Sequence, residues 1–472
     1  MKTFLAASLA LLSCTLPARS LAQATELSAG FALTDITPPI GYRMCGYFYE
    51  RLSTGIHDPL FAKAVYLQQG DQQATLVFCD LIGVPQAVTD RARDLLRQRT
   101  GIPATNVLVA ATHSHTGPLY FDALRTFLHE RAAANHGTDR QETVDYSSVL
   151  AEKLAEVAGR ARAAARPVTL AAAIAKQTGL SFNRRFHMKD GTVVFNPGKL
   201  NPNIVRAAGP VDPDVISVFF RDRKKERAVA ALTVFALHSD TTGGTEYSAD
   251  YPFYLERSLR AKWGGEFISF FGAGTCGDIN HIDVSTDRPQ KGGEESLRIG
   301  DMLAETVLES SSRARTASPP SLAVRYTKVF APLQEFNEGQ LAQARKRMPL
   351  VGTNVLSFLE QVEAYKITDV EEMRARSGPM LPMEVQVFRL DDDTALVGLP
   401  GEVFVELGLA IKQASAFPNT LVVELCNNDI GYVPTKKAFV EGSYEVVNSR
   451  VRSGGGERLV EAAIKLLDEL KQ

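Results

Sequence analysis

Apolar and polar positions along this chain fall into short runs whose period keeps switching between two and about three and a half residues. The apolar runs at 61–68, 74–80, 107–110, 168–175, 215–221, 229–237, 267–271, 322–330, 383–390, 395–399 and 420–426 are short and rich in Val, Ile, Phe and Thr, so each predicts a strand. Residues 31–37 alternate and stop at Pro38-Pro39, which predicts another. Between them, 87–99, 142–165, 250–263, 292–312, 337–373, 403–415 and 457–470 carry helical spacing, with Gly101 as a C-terminal cap, Asp250 near an N-cap and Pro252 in a first turn. The polar stretch 122–139 predicts a surface loop or lid, with His129 and His136 as bystanders. Gly70-Asp71 predicts a hairpin turn, and the charged segment 222–227 joins a second hairpin. No internal repeat is evident, and Thr316-Ala317-Ser318-Pro319-Pro320 reads as a joint within one domain spanning 25–472. Strand, helix, strand in this order predicts a mixed α/β fold of layered sheets flanked by helices, whose ligand sites tend to lie beyond strand C-termini.

Those strand ends carry the chemistry. The run ending at Ala110 leads into Ala111-Thr112-His113-Ser114-His115-Thr116-Gly117-Pro118; alternation along an extended chain would point His113 and His115 the same way, within reach of one metal ion. A loop that merely hydrogen-bonds its imidazoles is the plain alternative. A second apolar strand ends in His238-Ser239-Asp240, which raises the odds of a shared site. Glu402 follows the strand pair 383–399 at the start of a helix, where a carboxylate can cap the helix or bind metal. Asp240 and Asp80, also near strand ends, are rival carboxylates. Residues 272–281 form a glycine-rich turn suited to an oxyanion hole or to close packing alone. The loop 41–47, rich in Gly and aromatics, is read as turn chemistry first and ligand contact second.

Composition adjusts this picture in three places. Lys2, the apolar run 4–12 and Ala22-Gln23-Ala24 read as a cleavable export signal over 1–24, which predicts a secreted or periplasmic protein; Cys14 offers a weaker lipoprotein reading. No other apolar run reaches the length of about 18 residues that a membrane helix needs. With 52 Lys and Arg against 54 Asp and Glu, no basic field points to nucleic acid. Cys45, Cys79, Cys276 and Cys426 lack CxxC spacing; they allow up to two disulfides, although Cys79 sits in an apolar run as a buried thiol.

Taken in order, Asp35-Ile36-Thr37-Pro38 with its Gly-Tyr loop, Thr112-His113-Ser114-His115-Thr116-Gly117-Pro118, Asn183-Arg184, Phe235-Ala236-Leu237-His238, Gly277-Asp278, Pro400-Gly401-Glu402 and Gly431-Tyr432-Val433-Pro434-Thr435 resemble the neutral/alkaline ceramidase family. These are zinc-dependent amidases that cleave the N-acyl bond of ceramide. The resemblance implies the family's N-terminal catalytic fold and one Zn²⁺ per chain, held by His113, His238, Glu402 and Tyr432, with His115, Arg184 and Tyr444 lining the reacting carbonyl. Zinc would polarise an acyl oxygen and activate water at neutral pH, His115 would shuttle a proton, and Arg184 and Tyr444 would stabilise the oxyanion.

Two departures bear on substrate. The family carries a serine two positions after the Asp of Gly-Asp, and here Asn280 stands there, followed by His281; the Asn280 amide can still donate to an acyl oxygen. The family's C-terminal β-sandwich has no counterpart in this sequence. The expectation is a zinc hydrolase acting on a small lipid or amide, with ceramide as leading substrate and room for peripheral contact with a membrane. Its rivals are an amidase or esterase on another, carbohydrate-linked substrate and a metal-binding homologue without catalysis.

Overall fold

The structure is a computed structural model that describes residues 26–224, 227–316 and 320–472. The export signal at 1–24 and most of the 316–320 joint therefore lie outside the described residues. Among the described residues, no helix is long and apolar enough to cross a membrane.

One structural unit occurs three times. It consists of three antiparallel strands, a helix, a fourth strand parallel to the third, and a closing helix. The first unit has Leu27–Asp35 (β1), Phe61–Gln69 (β2), Gln72–Cys79 (β3), the helix Gln86–Thr100, Val107–Ala111 (β4) and the helix Tyr146–Ala163. The second has Arg166–Lys176 (β5), Asp214–Asp222 (β6), Ala228–Phe235 (β7), Tyr251–Trp263, Ile268–Ala273 (β8) and Gly293–Arg313. The third has Ala323–Pro332 (β9), Met380–Arg389 (β10), Thr394–Gly398 (β11), Val405–Ala414, Asn419–Val423 (β12) and Gly455–Lys471. No repeat is visible in the sequence because the pattern that recurs is one of strand pairing, which many apolar residues satisfy equally well.

The first two units join edge to edge through a short β1–β5 pairing, giving the strand order β8-β7-β6-β5-β1-β2-β3-β4. The third unit forms its own sheet, β9-β10-β11-β12, stacked on the first. Between the sheets lies a core that includes Phe78, Phe220, Phe270, Phe388, Leu396 and Leu421. The helices cover the outer faces, through Leu96, Leu150 and Leu154 in the first unit, Leu255, Leu259 and Leu303 in the second, and Leu459, Ala463 and Leu467 in the third. The result is a helix, sheet, sheet, helix layering, as the strand and helix pattern predicts.

The predicted strands and helices are found with small shifts at their ends, the helical stretch 337–373 as two helices, Glu338–Arg347 and Phe358–Ser377. The segment 122–139 is different: Asp122–His136 is a helix, capped by Gly137 in the left-handed region, and not a loop. Its Leu124 and Leu128 bury against Met348 and Tyr365, so tertiary packing outweighs a polar composition. All four described cysteines are buried free thiols.

Candidate metal centre

The parallel strand pairs of the three units end on the pairs Cys79↔Ala111, Phe235↔Ala273 and Gly398↔Val423, and the chain beyond each carries a functional residue. His113 follows β4, His238 follows β7 and Glu402 follows β11, so each unit contributes one group to a common point. Nε2 of His113 lies 3.3 Å from Nε2 of His115, and Glu402 Oε2 lies 3.3 Å from Nε2 of both His113 and His238. The three rings stand with centroids 4.4 to 5.8 Å apart. His113 and His115 do converge, but for another reason than strand alternation: β4 stops at Ala111, and His113 takes a left-handed φ of 69°, rare for a residue with a side chain.

The ring orientations are set from behind. His113 Nδ1 meets the Ile82 carbonyl at 2.9 Å and His115 Nδ1 meets the Gly46 carbonyl at 3.2 Å, which turns both Nε2 atoms toward the cluster. Backbone carbonyls in this position fix the tautomer of a metal-ligating imidazole. Gly46 has φ 97°, and a Cβ there would come within 2.6 Å of the His115 carbonyl oxygen, so the Gly-Tyr loop needs glycine at this approach. Arg51 fastens the same loop by donating to the carbonyls of Cys45 and His115.

The side chains of the cluster by themselves share one proton. Burial opposes charge on His113, yet the neighbouring Glu402 carboxylate raises it to about 9. Burial, reinforced by the charge on His113, pushes His115 down to about 3; burial and Arg184 push His238 down to about 4. Burial favours protonation of Glu402, but His113 and then His238 hold it well below the usual carboxylate range. Two imidazoles are therefore neutral, and His238 Nε2 takes a hydrogen bond from Arg184 at 3.1 Å. His238 Nδ1 and Glu402 Oε2 are buried without a well-formed hydrogen bond. Three ring nitrogens and one carboxylate oxygen, convergent and with one proton between them, suit a divalent cation of the zinc type, which would take the place of the shared proton.

Glu402 does not cap the following helix. Asp278 does so, accepting from Val405 N at 2.9 Å while its other oxygen accepts from Asn183 Nδ2 at 2.8 Å. Glu424 holds the neighbouring Val403 N at 2.7 Å. Gly277 packs so closely that a Cβ would lie 2.5 Å from the Glu402 carbonyl oxygen. The Asn183, Gly277-Asp278 and Pro400-Gly401-Glu402 motifs thus form one knot that fixes the carboxylate ligand. The amides of Gly274, Cys276 and Gly277 are all spent inside it, on Phe235 O, Glu424 and Val403 O, so this turn serves packing and leaves those amides no oxyanion to hold.

The remaining predicted residues divide. Tyr432 and Tyr444 sit beside the cluster with their hydroxyls 3.5 Å apart, and both line a cavity of about 550 Å³ that His113, His115 and Glu402 also line. Burial, then Glu402, keeps the Tyr432 phenol protonated. Arg184 is buried behind His238: its guanidinium reaches Glu445 at 3.0 Å, His238 Nε2 at 3.1 Å and the Gly277 carbonyl at 2.8 Å, and it does not line the cavity. Asn280 is not brought to the cavity either. Its amide donates to Asn196 Oδ1 at 3.0 Å and its oxygen accepts from Ile282 N. His281 turns to Asp240 at 3.0 Å and to the Gln290 carbonyl at 2.8 Å, an arrangement that calls for an imidazolium paired with a carboxylate. The rival Asp240 is committed to that pair, and Asp80 lines a separate cavity with Lys63 and Glu256. Ile82 and Glu445 escaped the sequence reading because they act through a backbone oxygen or from behind a ligand.

Two stacked sheets with three imidazoles and a carboxylate at the foot of a cavity define a candidate metalloprotein of the α/β class. No family model matches the chain. It is 24% identical to the neutral ceramidase of Pseudomonas aeruginosa over 501 aligned residues, covering 92% of this chain and 71% of that protein. The crystal structure of neutral ceramidase from Pseudomonas aeruginosa superposes with a TM-score of 0.71 at 19% identity, covering 95% of this chain and 75% of the other. A ceramidase complexed with C2 gives a TM-score of 0.70 at 17% identity, with the same coverage. Over nearly its whole length the chain is similar in sequence to a neutral ceramidase, and it shares that protein's fold.

Proposed function

We propose that the protein is a zinc-dependent hydrolase that cleaves an N-acyl amide bond in a small lipid, with ceramide as first candidate. The observation that carries this reading is the convergence of His113, His115, His238 and Glu402 at the foot of a cavity large enough for a substrate head group. It is supported by kinship with a protein named neutral ceramidase. A zinc ion held by His113, His238 and Glu402, with Tyr432 alongside, would supply Lewis acidity toward the acyl oxygen and a water molecule.

The chain's own groups fit the rest of an acyl transfer to water. Tyr444 accepts hydrogen bonds from Tyr432 at 3.5 Å and from Asn448 Nδ2 at 3.3 Å, which leaves its own proton free for an acyl oxygen as negative charge develops there. His115, with its Nδ1 proton held by Gly46, presents a neutral Nε2 that can accept a proton from the attacking water or complete the ligand set. Arg184 holds His238 in place and sets a fixed positive charge behind it. Asn280 has no part in this scheme, and the hydrolysis needs no serine nucleophile. Export through the segment 1–24 belongs to the same proposal, as cleavage between 24 and 25 in a secreting host would show.

The test is release of fatty acid from a short-chain ceramide by purified protein, abolished by a chelator and restored by zinc. In the same assay Tyr444→Phe is expected to lower kcat by about 10²-fold with metal content unchanged. Full zinc occupancy with no fatty acid released from any N-acyl amide overturns the reading.

A further inference from the structure

Tyr47, Phe48 and Tyr444 line the cavity beside the metal cluster, and their rings continue into an apolar surface outside it. Phe48 meets Phe358 edge-on with ring centroids 6.0 Å apart, Tyr444 meets Phe358 at 5.3 Å and Phe195 at 4.7 Å, and Tyr47 meets Tyr49 at 5.5 Å. Tyr49, Val355, Phe358 and Leu359 are exposed, Val355 to 70%. The segment that displays Val355 is held by its own bonds. Thr353 N donates to the Leu350 carbonyl at 3.1 Å, Gly352 N to Gln361 Oε1 at 2.9 Å, and Gln361 Nε2 to the Leu356 carbonyl at 3.2 Å. Gly352, at φ 84°, packs so near Tyr49 that a Cβ would stand 3.0 Å from the Tyr49 Cβ, which joins the two exposed segments. The Ser357 capping box then starts the helix Phe358–Ser377 with Phe358 and Leu359 in its first turn.

A run of exposed apolar side chains beside a cavity marks a surface that something covers. Its surroundings indicate what. Residues 45–49, 192–197 and 351–359 contain no charged side chain. The charges next to them are already answered: Glu50 by Arg43 at 2.8 Å and Arg131 at 3.0 Å, and Glu360 by Arg347 at 2.6 Å. Arg51 is buried and donates to the carbonyls of Gly244 and His115. The rim therefore presents no free charge to a charged partner. Tyr47 and Tyr49 each combine an apolar ring with a hydroxyl, the side-chain type suited to the boundary between hydrocarbon and water. The Tyr47 ring lies 6.3 Å from that of His115, so a protein seated on this rim would cover the cavity where it is nearest the metal cluster. A lipid bilayer would cover the same rim and supply an N-acyl lipid to the cavity.

We propose that this rim is a membrane-docking surface: Tyr47, Tyr49, Val355, Phe358 and Leu359 seat in the interface of a lipid bilayer, and the cavity takes its substrate from the membrane. This rests on the hydrolase reading above and adds to it the physical state in which the substrate is met. The contact is shallow and reversible. It is driven by apolar area with little contribution from charge, so it does not select anionic lipid and is insensitive to salt.

The experiment measures cosedimentation of the metal-loaded full chain with phosphatidylcholine vesicles, with and without phosphatidylserine. Beside it, fatty acid release is followed from two substrates: C16 ceramide carried in the vesicles, and N-hexanoyl-2-amino-1,3-propanediol dissolved as monomers. The chain is expected to bind both kinds of vesicle, with affinities within about twofold of each other and changed less than about twofold between roughly 0.05 and 0.5 M salt. The double variant Val355→Asp, Leu359→Asp alters no residue that lines the cavity. It should weaken vesicle binding, and kcat/KM for vesicle ceramide, at least about tenfold while leaving the monomeric amide within about twofold; Val355→Ser alone should give a smaller loss of the same kind. No vesicle binding, binding only to vesicles with phosphatidylserine, equal losses on both substrates, or a dimer in a sizing column that the double variant splits overturns the proposal. Cleavage of the monomeric amide without vesicle binding leaves the hydrolase reading intact while the docking surface fails. Vesicle binding that the double variant abolishes, with neither substrate cleaved, supports the docking surface while the hydrolase reading fails.

Discussion

His129, Asp139 and Glu142 gather three ligand-type atoms as closely as His113, His115 and His238 do, yet the two clusters are built for different ends. Around His129 the carboxylates are already answered: Arg43 reaches Asp139 at 2.5 Å and Glu142 at 3.6 Å, Arg125 pairs with Glu142, and His129 itself bonds both acids. Its imidazole is 39% exposed, out at the protein surface. Around His113 the imidazoles outnumber the acids, the far nitrogens of His113 and His115 are tied to backbone carbonyls, and His238 Nδ1 and a Glu402 oxygen stay unsatisfied. A cation could enter the first cluster only by displacing arginines from buried carboxylates. It could enter the second by displacing one proton. Residue types alone do not make a metal site; unsatisfied, convergent lone pairs do.

The sharpest way to break this contrast is to remove one residue from each cluster. His238→Ala should drop bound zinc from about one per chain to near zero and hydrolysis by about 10³-fold, equivalent to roughly 4 kcal/mol of barrier, whereas His129→Ala should change neither. Elemental analysis beside fatty-acid release reads both, and full zinc in His238→Ala would end the assignment. Arg43→Ala tests the other side. It leaves buried Asp139 without its arginine, while Glu142 keeps Arg125, so it should cost about 3 kcal/mol of folding stability in a denaturant titration, with zinc content at the His113 cluster unchanged.

Smaller effects sharpen the contrast. Gly46→Ala forces a side chain into left-handed backbone against the His115 carbonyl, and should cost about 1–3 kcal/mol while loosening the His115 ring and lowering kcat. The smallest effect is one of pH. Burial opposes ionisation of Asp139, but Arg43 holds it below the ordinary carboxylate range, so its contribution to stability is present above about pH 4 and lost as pH falls through its folded value. Asp122 has the opposite sign. With a folded value of about 7 set mainly by burial, its favourable contribution is present below about pH 4 and is lost as pH rises toward 7. Asp122→Asn should therefore flatten the decline in stability between about pH 4 and 7, and an unchanged slope in urea midpoints would contradict the assignment.

Much of this architecture was legible in the residues themselves. Val107-Leu108-Val109-Ala110 reads as a buried strand and is one, and the strand ends carrying His113 and His238 are where a layered α/β protein places ligands. What could not be read was convergence. His113, His238 and Glu402 lie far apart in sequence and meet only because β4, β7 and β11 are arranged by strand order, which local patterns do not encode. Arg184 and Asn280 show the same limit from the other side: both lie near the cluster in the chain's path, but hydrogen bonds to Glu445 and Asn196 turn them from the cavity. The helix Asp122–His136 was hidden by a polar surface whose few apolar residues find Met348 and Tyr365 only in the folded protein.

The threefold unit also has a consequence in time. Because the first two units supply the imidazoles and the third the carboxylate, a chain emerging during synthesis cannot assemble the centre until Glu402 has been made and docked. The partly made protein would meet metal ions with the imidazoles of His113, His115 and His238 but without the carboxylate beside them. The carboxylate therefore arrives last, and the full coordination shell waits on the third unit.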